Sequence, residues 1–125
     1  MPFSAVWRDY NIQRERRYKV APKLMHLAWG YLAEYQKEML QLTEDLERAH
    51  QLKEFGFTLV GEQFEAEKKL SKDLRQLLIK CHHHHALILK DVFREHEHDL
   101  LDAEAHLHVL QGLVIGTKRT EFSRS

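Results

Sequence analysis

Residues 23–55 read KLMHLAWGYLAEYQKEMLQLTEDLERAHQLKEF, and the apolar positions in this stretch decide the fold class. Met25, Ala28, Leu32, Tyr35, Met39, Leu42, Leu46 and Ala49 follow one another at alternating spacings of three and four. That is a heptad repeat, which keeps one seam of a helix turned toward a partner helix. At about 1.5 Å per residue, a helix over residues 22–55 is about 50 Å long. Leu27, Trp29, Tyr31 and Leu40 lie off the seam and widen its apolar face, so the helix is expected to touch more than one neighbour. Met25, Trp29, Leu32, Tyr35, Met39, Leu42 and Leu46 are the residues expected to meet a partner protein.

Working outward, Pro22 sets the expected start of this helix. The residue before a proline resists helical geometry, whereas proline itself fits a first turn. Val20-Ala21-Pro22 therefore reads as a break between a basic amino-terminal segment, residues 1–21, and the heptad helix. On the other side, Gly56 and Gly61 bracket Phe57-Thr58-Leu59-Val60. Each glycine weakens a helix by about 1 kcal/mol relative to alanine, and the pair is read as a hairpin turn. Residues 62–111 contain neither proline nor glycine. They carry a second apolar stripe through Leu70, Leu74, Leu77, Cys81, Ile88, Val92, Leu100, Ala103, Leu107 and Leu110, and they read as a second long helix. Gly112 and Gly116 open a tail, residues 112–125, expected to be irregular. The fold class is all-α: a long helical hairpin or coiled-coil-like bundle, in one domain of 125 residues, with a short amino-terminal helix.

Charge narrows the functional classes. Lys and Arg number 19, as do Asp and Glu. A nucleic-acid binder draws most of its affinity from a basic excess, so this balance speaks against nucleic acid as a partner. The balance hides a basic amino-terminus with Arg8, Arg14, Arg16, Arg17, Lys19 and Lys23. Three readings fit it: a solvated helix, a dock for an acidic or lipid partner, and a mitochondrial targeting segment. Trp7, Asp9 and Glu15 set it apart from a cleaved transit peptide. No uncharged stretch approaches the roughly 20 residues of a membrane-spanning helix, although peripheral membrane contact through the basic helix stays open. Cys81 is the single cysteine, so no internal disulfide forms, which fits a reducing intracellular compartment.

Ten histidines, four of them consecutive at His82–His85, are the one feature pointing toward a cofactor. On a helix a run of four fans around the circumference and does not converge on one ion. Glu-x-x-His occurs twice, at Glu47–His50 and Glu95–His98. Ferritin-like di-metal bundles use such motifs from two helices. Here Glu47 falls beside the seam rather than on it, and Glu95 and His98 belong to a polar stripe opposite Val92 and Leu100, so these four are metal candidates that the heptad register opposes. Cys81, on a leucine-rich stripe, reads as packing rather than as a reactive thiol.

No catalytic constellation and no cofactor are expected. Two long amphipathic helices in so short a chain present more apolar face than one partner covers. The expected function is that of a non-catalytic, structural helical subunit of a larger assembly. A mitochondrial inner-membrane complex, respiratory or ATP synthase, is the favoured setting; a metal-binding bundle and a ciliary or cytoskeletal coiled coil are the alternatives.

Overall fold

The computed structural model describes residues 3–123 and is helical almost throughout. Helix α1 spans Phe3–Trp29, and a short 3-10 turn over Ala33–Tyr35 leads into α2, Gln36–Lys53. Helix α3 covers Val60–Cys81, α4 is a single turn at His85–Ile88, and α5 runs Asp91–Ser123. No described helix is long and apolar enough to cross a membrane.

The heptad seam is real, but it does not lie on one helix. Pro22 does not start the heptad helix; α1 runs through it. The reason is visible in the packing. Trp7, Tyr10, Arg14, Arg17, Ala21, Leu24 and Ala28 form a three-and-four seam of their own, and every one is buried. An interior proline costs a helix about 3 kcal/mol. Burying Val20 and Leu24 beside it contributes about 1.5–3 kcal/mol each, enough to offset that loss. Pro22 itself sits on the exposed face. The chain breaks instead at Gly30, where Tyr31 and Leu32 both donate back to the Ala28 carbonyl. Met25, Leu32, Met39, Leu42 and Ala49 are buried on either side of that corner. Two helices joined by a tight turn thus share the seam that the sequence assigned to one.

The turn at residues 54–59 makes α2 and α3 a hairpin, as Gly56 and Gly61 suggested. Gly56 adopts φ +59°, a left-handed conformation natural to glycine. Leu59 takes the same region at φ +56° without that freedom. Gln63 reaches back from α3 to accept the chain's return, its amide donating to the Gly56 and Thr58 carbonyls at 2.8 Å each.

Residues 62–111 are not one helix. His82–His84 form the link after α3, with His84 extended at φ −112°, ψ 95°. Leu87 of α4 plugs the end of the core, fully buried. The expected irregular tail is also corrected: α5 stays helical to Ser123, because Phe93, Leu100, Ala103, Leu107 and Val114 continue one buried stripe past Gly112. Val92, assigned to that stripe from sequence, is exposed, and Phe93 takes its place.

Four long helices result, alternating in direction. Arg16 of α1 meets Asp99 and Asp102 of α5, whereas Val6 and Trp7, nearer the start of α1, cluster with Leu107 and Val114, so these two helices run antiparallel along much of their length. Lys69 of α3 meets Asp45 of α2 at 2.5 Å, and Lys53 of α2 pairs with Glu15 of α1. The α3–α5 side closes least. Because α1 carries Pro22 only through compensation by its packing, Pro22→Ala is expected to raise stability by about 1–3 kcal/mol in urea unfolding. A loss of stability in that variant would show that the helix needs the proline.

Candidate binding cleft

The apolar interior is split in two. One cluster gathers Leu24, Ala28, Met39, Leu42, Leu74 and Leu77, with Phe93 and Leu100. The other holds Val6, Trp7, Tyr10, Phe64, Leu107 and Val114. Between them lies a charged layer. Arg14, Arg17 and Glu67 are each at most 2% exposed. Arg14 Nε donates to Glu67 Oε1 at 2.9 Å, Tyr18 Oη donates to the same oxygen, and Arg17 Nη2 pairs with Glu67 Oε2. Arg17 Nη1 continues to Ser71 Oγ and to Glu104 Oε1, both at 2.7 Å. Arg14 also lies over the Tyr10 ring, 5.2 Å from its centroid, as cations favour.

Of the six basic residues around which a lipid, targeting or docking role was built, Arg14 and Arg17 are therefore inside the protein. A third, Arg16, bridges to α5 through Asp102 at 2.5 Å and Asp99 at 2.7 Å. Its hydrogen bonds hold both aspartates below the ordinary carboxylate range. Sequence reasoning missed this layer although a signal for it was present. Counting back from Ala28 through Leu24 and Ala21, in steps of four and three, reaches Arg17 and Arg14. Counting back from Cys81 through Leu77, Leu74 and Leu70 places Glu67 and Gln63 on the α3 seam. Opposite charges at seam positions of two helices mark a buried ion pair.

Along the open α3–α5 side runs a cleft of about 890 Å³. It extends from Glu67 to Leu78 on α3, about 16 Å of helix. Its floor is the charged layer, where Tyr10, Arg17, Glu67 and Glu104 look into it. Its walls are apolar, with Leu74, Leu78, Leu101, Leu107 and Val109. Leu101 and Val109 are half or more exposed. Two buried donors on the floor, Tyr10 Oη and Arg17 Nε, have no hydrogen-bond partner within the described chain. Burial pushes the Tyr10 hydroxyl up to about 12, against the opposing pull of Arg14, so it remains a donor throughout the neutral range.

The sequence-derived site residues fall elsewhere. Met25, Leu32, Met39 and Leu42, expected to meet a partner, are buried against the chain's own α3 and α5, and Tyr35 and Leu46 are partly so. Sharing the seam between α1 and α2 turned it inward. Trp29 alone of that set is substantially exposed. Glu47 faces solvent on α2, and Glu95 and His98 face it on α5. His50 is exposed beside Glu15 and Tyr18 of α1, 3.8 Å from the Glu15 carboxylate. The four Glu-x-x-His residues are not brought together, and no described group of three histidine, cysteine or carboxylate side chains is placed to hold a metal ion. His82 pairs with Glu97 at 2.5 Å and caps the link, so the histidine run forms a connection rather than a helix face. Cys81 is fully buried, and burial, reinforced by Glu97, pushes its thiol up to about 12. It packs, as its position on a leucine stripe suggested. No family model, curated protein or solved structure matches the chain.

Glu67→Gln leaves two buried guanidinium groups facing a neutral amide and is expected to cost about 3–5 kcal/mol in urea unfolding. Replacing the layer together, Arg14→Met with Arg17→Met and Glu67→Leu, removes all three buried charges and is expected to restore most of that loss. A Glu67→Gln protein within about 1 kcal/mol of the wild type contradicts the buried layer. The aspartates give a pH test. A depressed carboxyl contributes stability above its unfolded value near 4, and that contribution is lost as pH falls through the lower folded value. Arg16→Gln is thus expected to be less stable at neutral pH, with the gap to the wild type closing as pH falls below about 4. A gap that is constant with pH contradicts the bridge.

Proposed function

We propose that this chain is a non-catalytic helical subunit of a larger protein assembly, and that the α3–α5 cleft is where a helix of another subunit seats. The observation that carries this reading is the open side of the bundle: an elongated apolar cleft, bounded by two parallel walls of helix, with Leu101 and Val109 exposed on one of them. Amphipathic helices lie in apolar grooves of this kind, inserting side chains at three-and-four spacing. The incoming helix covers the open α3–α5 side of the bundle and brings hydrogen-bond acceptors to Tyr10 Oη and Arg17 Nε. Cys81 is held as a buried thiol, and the floor carboxylates are engaged by arginine, which supports a binding role over a chemical one.

The preference for a mitochondrial assembly rested on the basic amino-terminus. Arg14, Arg16 and Arg17 are spent on carboxylates within the bundle, so the proposal rests on the cleft and not on a compartment. Metal binding through the two Glu-x-x-His motifs draws no support from residues that point to solvent on separate helices.

Site-specific photo-crosslinking in the protein's native cells tests the reading. A photoreactive p-benzoylphenylalanine in place of Leu101 is expected to yield one discrete heavier protein adduct, lost when Val109→Glu is added. The same group in place of Glu47, on the far face of α2, is expected to yield none. Identical adducts from both positions, or no adduct from position 101, would overturn the proposal.

A further inference from the structure

Charge around the cleft is uneven, and the unevenness identifies the occupant. Lys68, Lys72 and Arg75 lie at four- and three-residue spacing, so they form one stripe along the exposed face of α3, and Lys68 and Arg75 border the cleft directly. Lys72 and Arg75 make no ion pair among the described residues, and Lys68 has only a loose, solvent-exposed contact with Glu65 at 3.9 Å. Neighbouring cations on α3 are already engaged: Lys69 with Asp45 and Asp73, Lys80 over the Tyr35 ring. The α5 wall offers no counterpart. Its Glu104 is bound to Arg17, and Glu97, further along α5, is bound to His82. Apart from Glu104 and His108, what faces the cleft from α5 is uncharged, with Leu101, Ala105 and Gly112 among it.

Resting on the docking reading above, we infer that the helix seated in the cleft is an acidic amphipathic helix, its carboxylates aligned along Lys68, Lys72 and Arg75 and its apolar seam turned toward Leu78, Leu101 and Leu107. A cationic stripe beside an apolar wall also attracts anionic lipid, but a bilayer presents a flat face, whereas the apolar residues here lie down inside a cleft. Helices pack at interaxial distances of 8–10 Å only when side chains enter such a groove. The one-sided charge fixes orientation as well: an acidic flank on one edge of the incoming helix places that edge against α3. Electrostatic pairing of this kind sets register and partner choice more than it adds affinity.

Three synthetic peptides with one leucine-alanine heptad seam and flanks of glutamate, glutamine or lysine test this against the full chain by fluorescence anisotropy. The glutamate-flanked peptide is expected to bind tightest, by about tenfold over the lysine-flanked one, with the difference shrinking as salt rises. Lys72→Glu with Arg75→Glu is expected to reverse the order. Leu101→Glu is expected to abolish binding of all three while leaving the circular dichroism spectrum unchanged, since the residue is half exposed. If the glutamine- or lysine-flanked peptide binds as well or better, and Leu101→Glu still abolishes it, the acidic occupant is wrong and helix docking stands. If no peptide binds, or binding ignores Leu101→Glu, both docking and the acidic occupant fall. Vesicles of phosphatidylserine form the last arm. Binding to them that the double glutamate variant removes, with no peptide binding, would assign the stripe to lipid and overturn the inference.

Discussion

Two arginines from α1 meet one glutamate from α3 in the middle of this bundle, and the rest of the structure is arranged around the requirement that these charges be satisfied away from water. A lone buried charge costs several kcal/mol, so Arg14 and Arg17 tolerate few registers of α1 against α3. A slip of one helical turn separates them from Glu67 and also breaks the bonds of Arg17 to Ser71 and Glu104. The apolar clusters above and below supply most of the favourable burial, yet leucine against leucine accepts many registers. The charged layer selects among them. Arg16, one residue along, adds a second tie to α5 through Asp99 and Asp102.

The same layer explains why one side of the bundle is open. Arg17 spans from Ser71 on α3 to Glu104 on α5, bridging the two helices where their apolar contacts are sparse. The α3–α5 side is thus held by a polar strut at its floor rather than zipped along its length. The resulting cleft is apolar on its walls, donor-rich on its floor and cationic along one edge. A surface with those properties suits a helical partner, and the fold is complete enough to present it without one.

Fold class and the hairpin at residues 55–61 were legible in the sequence, because heptad spacing and paired glycines report on local geometry. Pro22 misled for a physical reason: local propensity gives a proline about 3 kcal/mol of weight against a helix interior, and buried neighbours at Val20, Ala21 and Leu24 outweigh it. Gly30 carried the actual corner, in a stretch whose unbroken heptad masked it, since a seam shared by two helices reads the same as a seam on one. The tail past Gly112 is helical because Val114 extends the α5 stripe. The binding cleft was the least legible feature. Arg14 and Arg17 read as surface charge when counted by composition, and become core only when the count runs from Ala28 back through Leu24 and Ala21 and is matched to Glu67. The gap between α3 and α5 is a tertiary property that no single helix encodes.

The most direct test of the open bundle is a pair of distances in solution by pulsed electron paramagnetic resonance. Spin labels at positions 75 and 108 straddle the α3–α5 cleft, labels at positions 9 and 106 straddle the packed α1–α5 side, and buried Cys81 stays unlabelled. The structure predicts a longer separation across the cleft than across the packed side in the free chain. Equal separations would mean that α3 and α5 close on each other, leaving no cleft for a partner helix to enter.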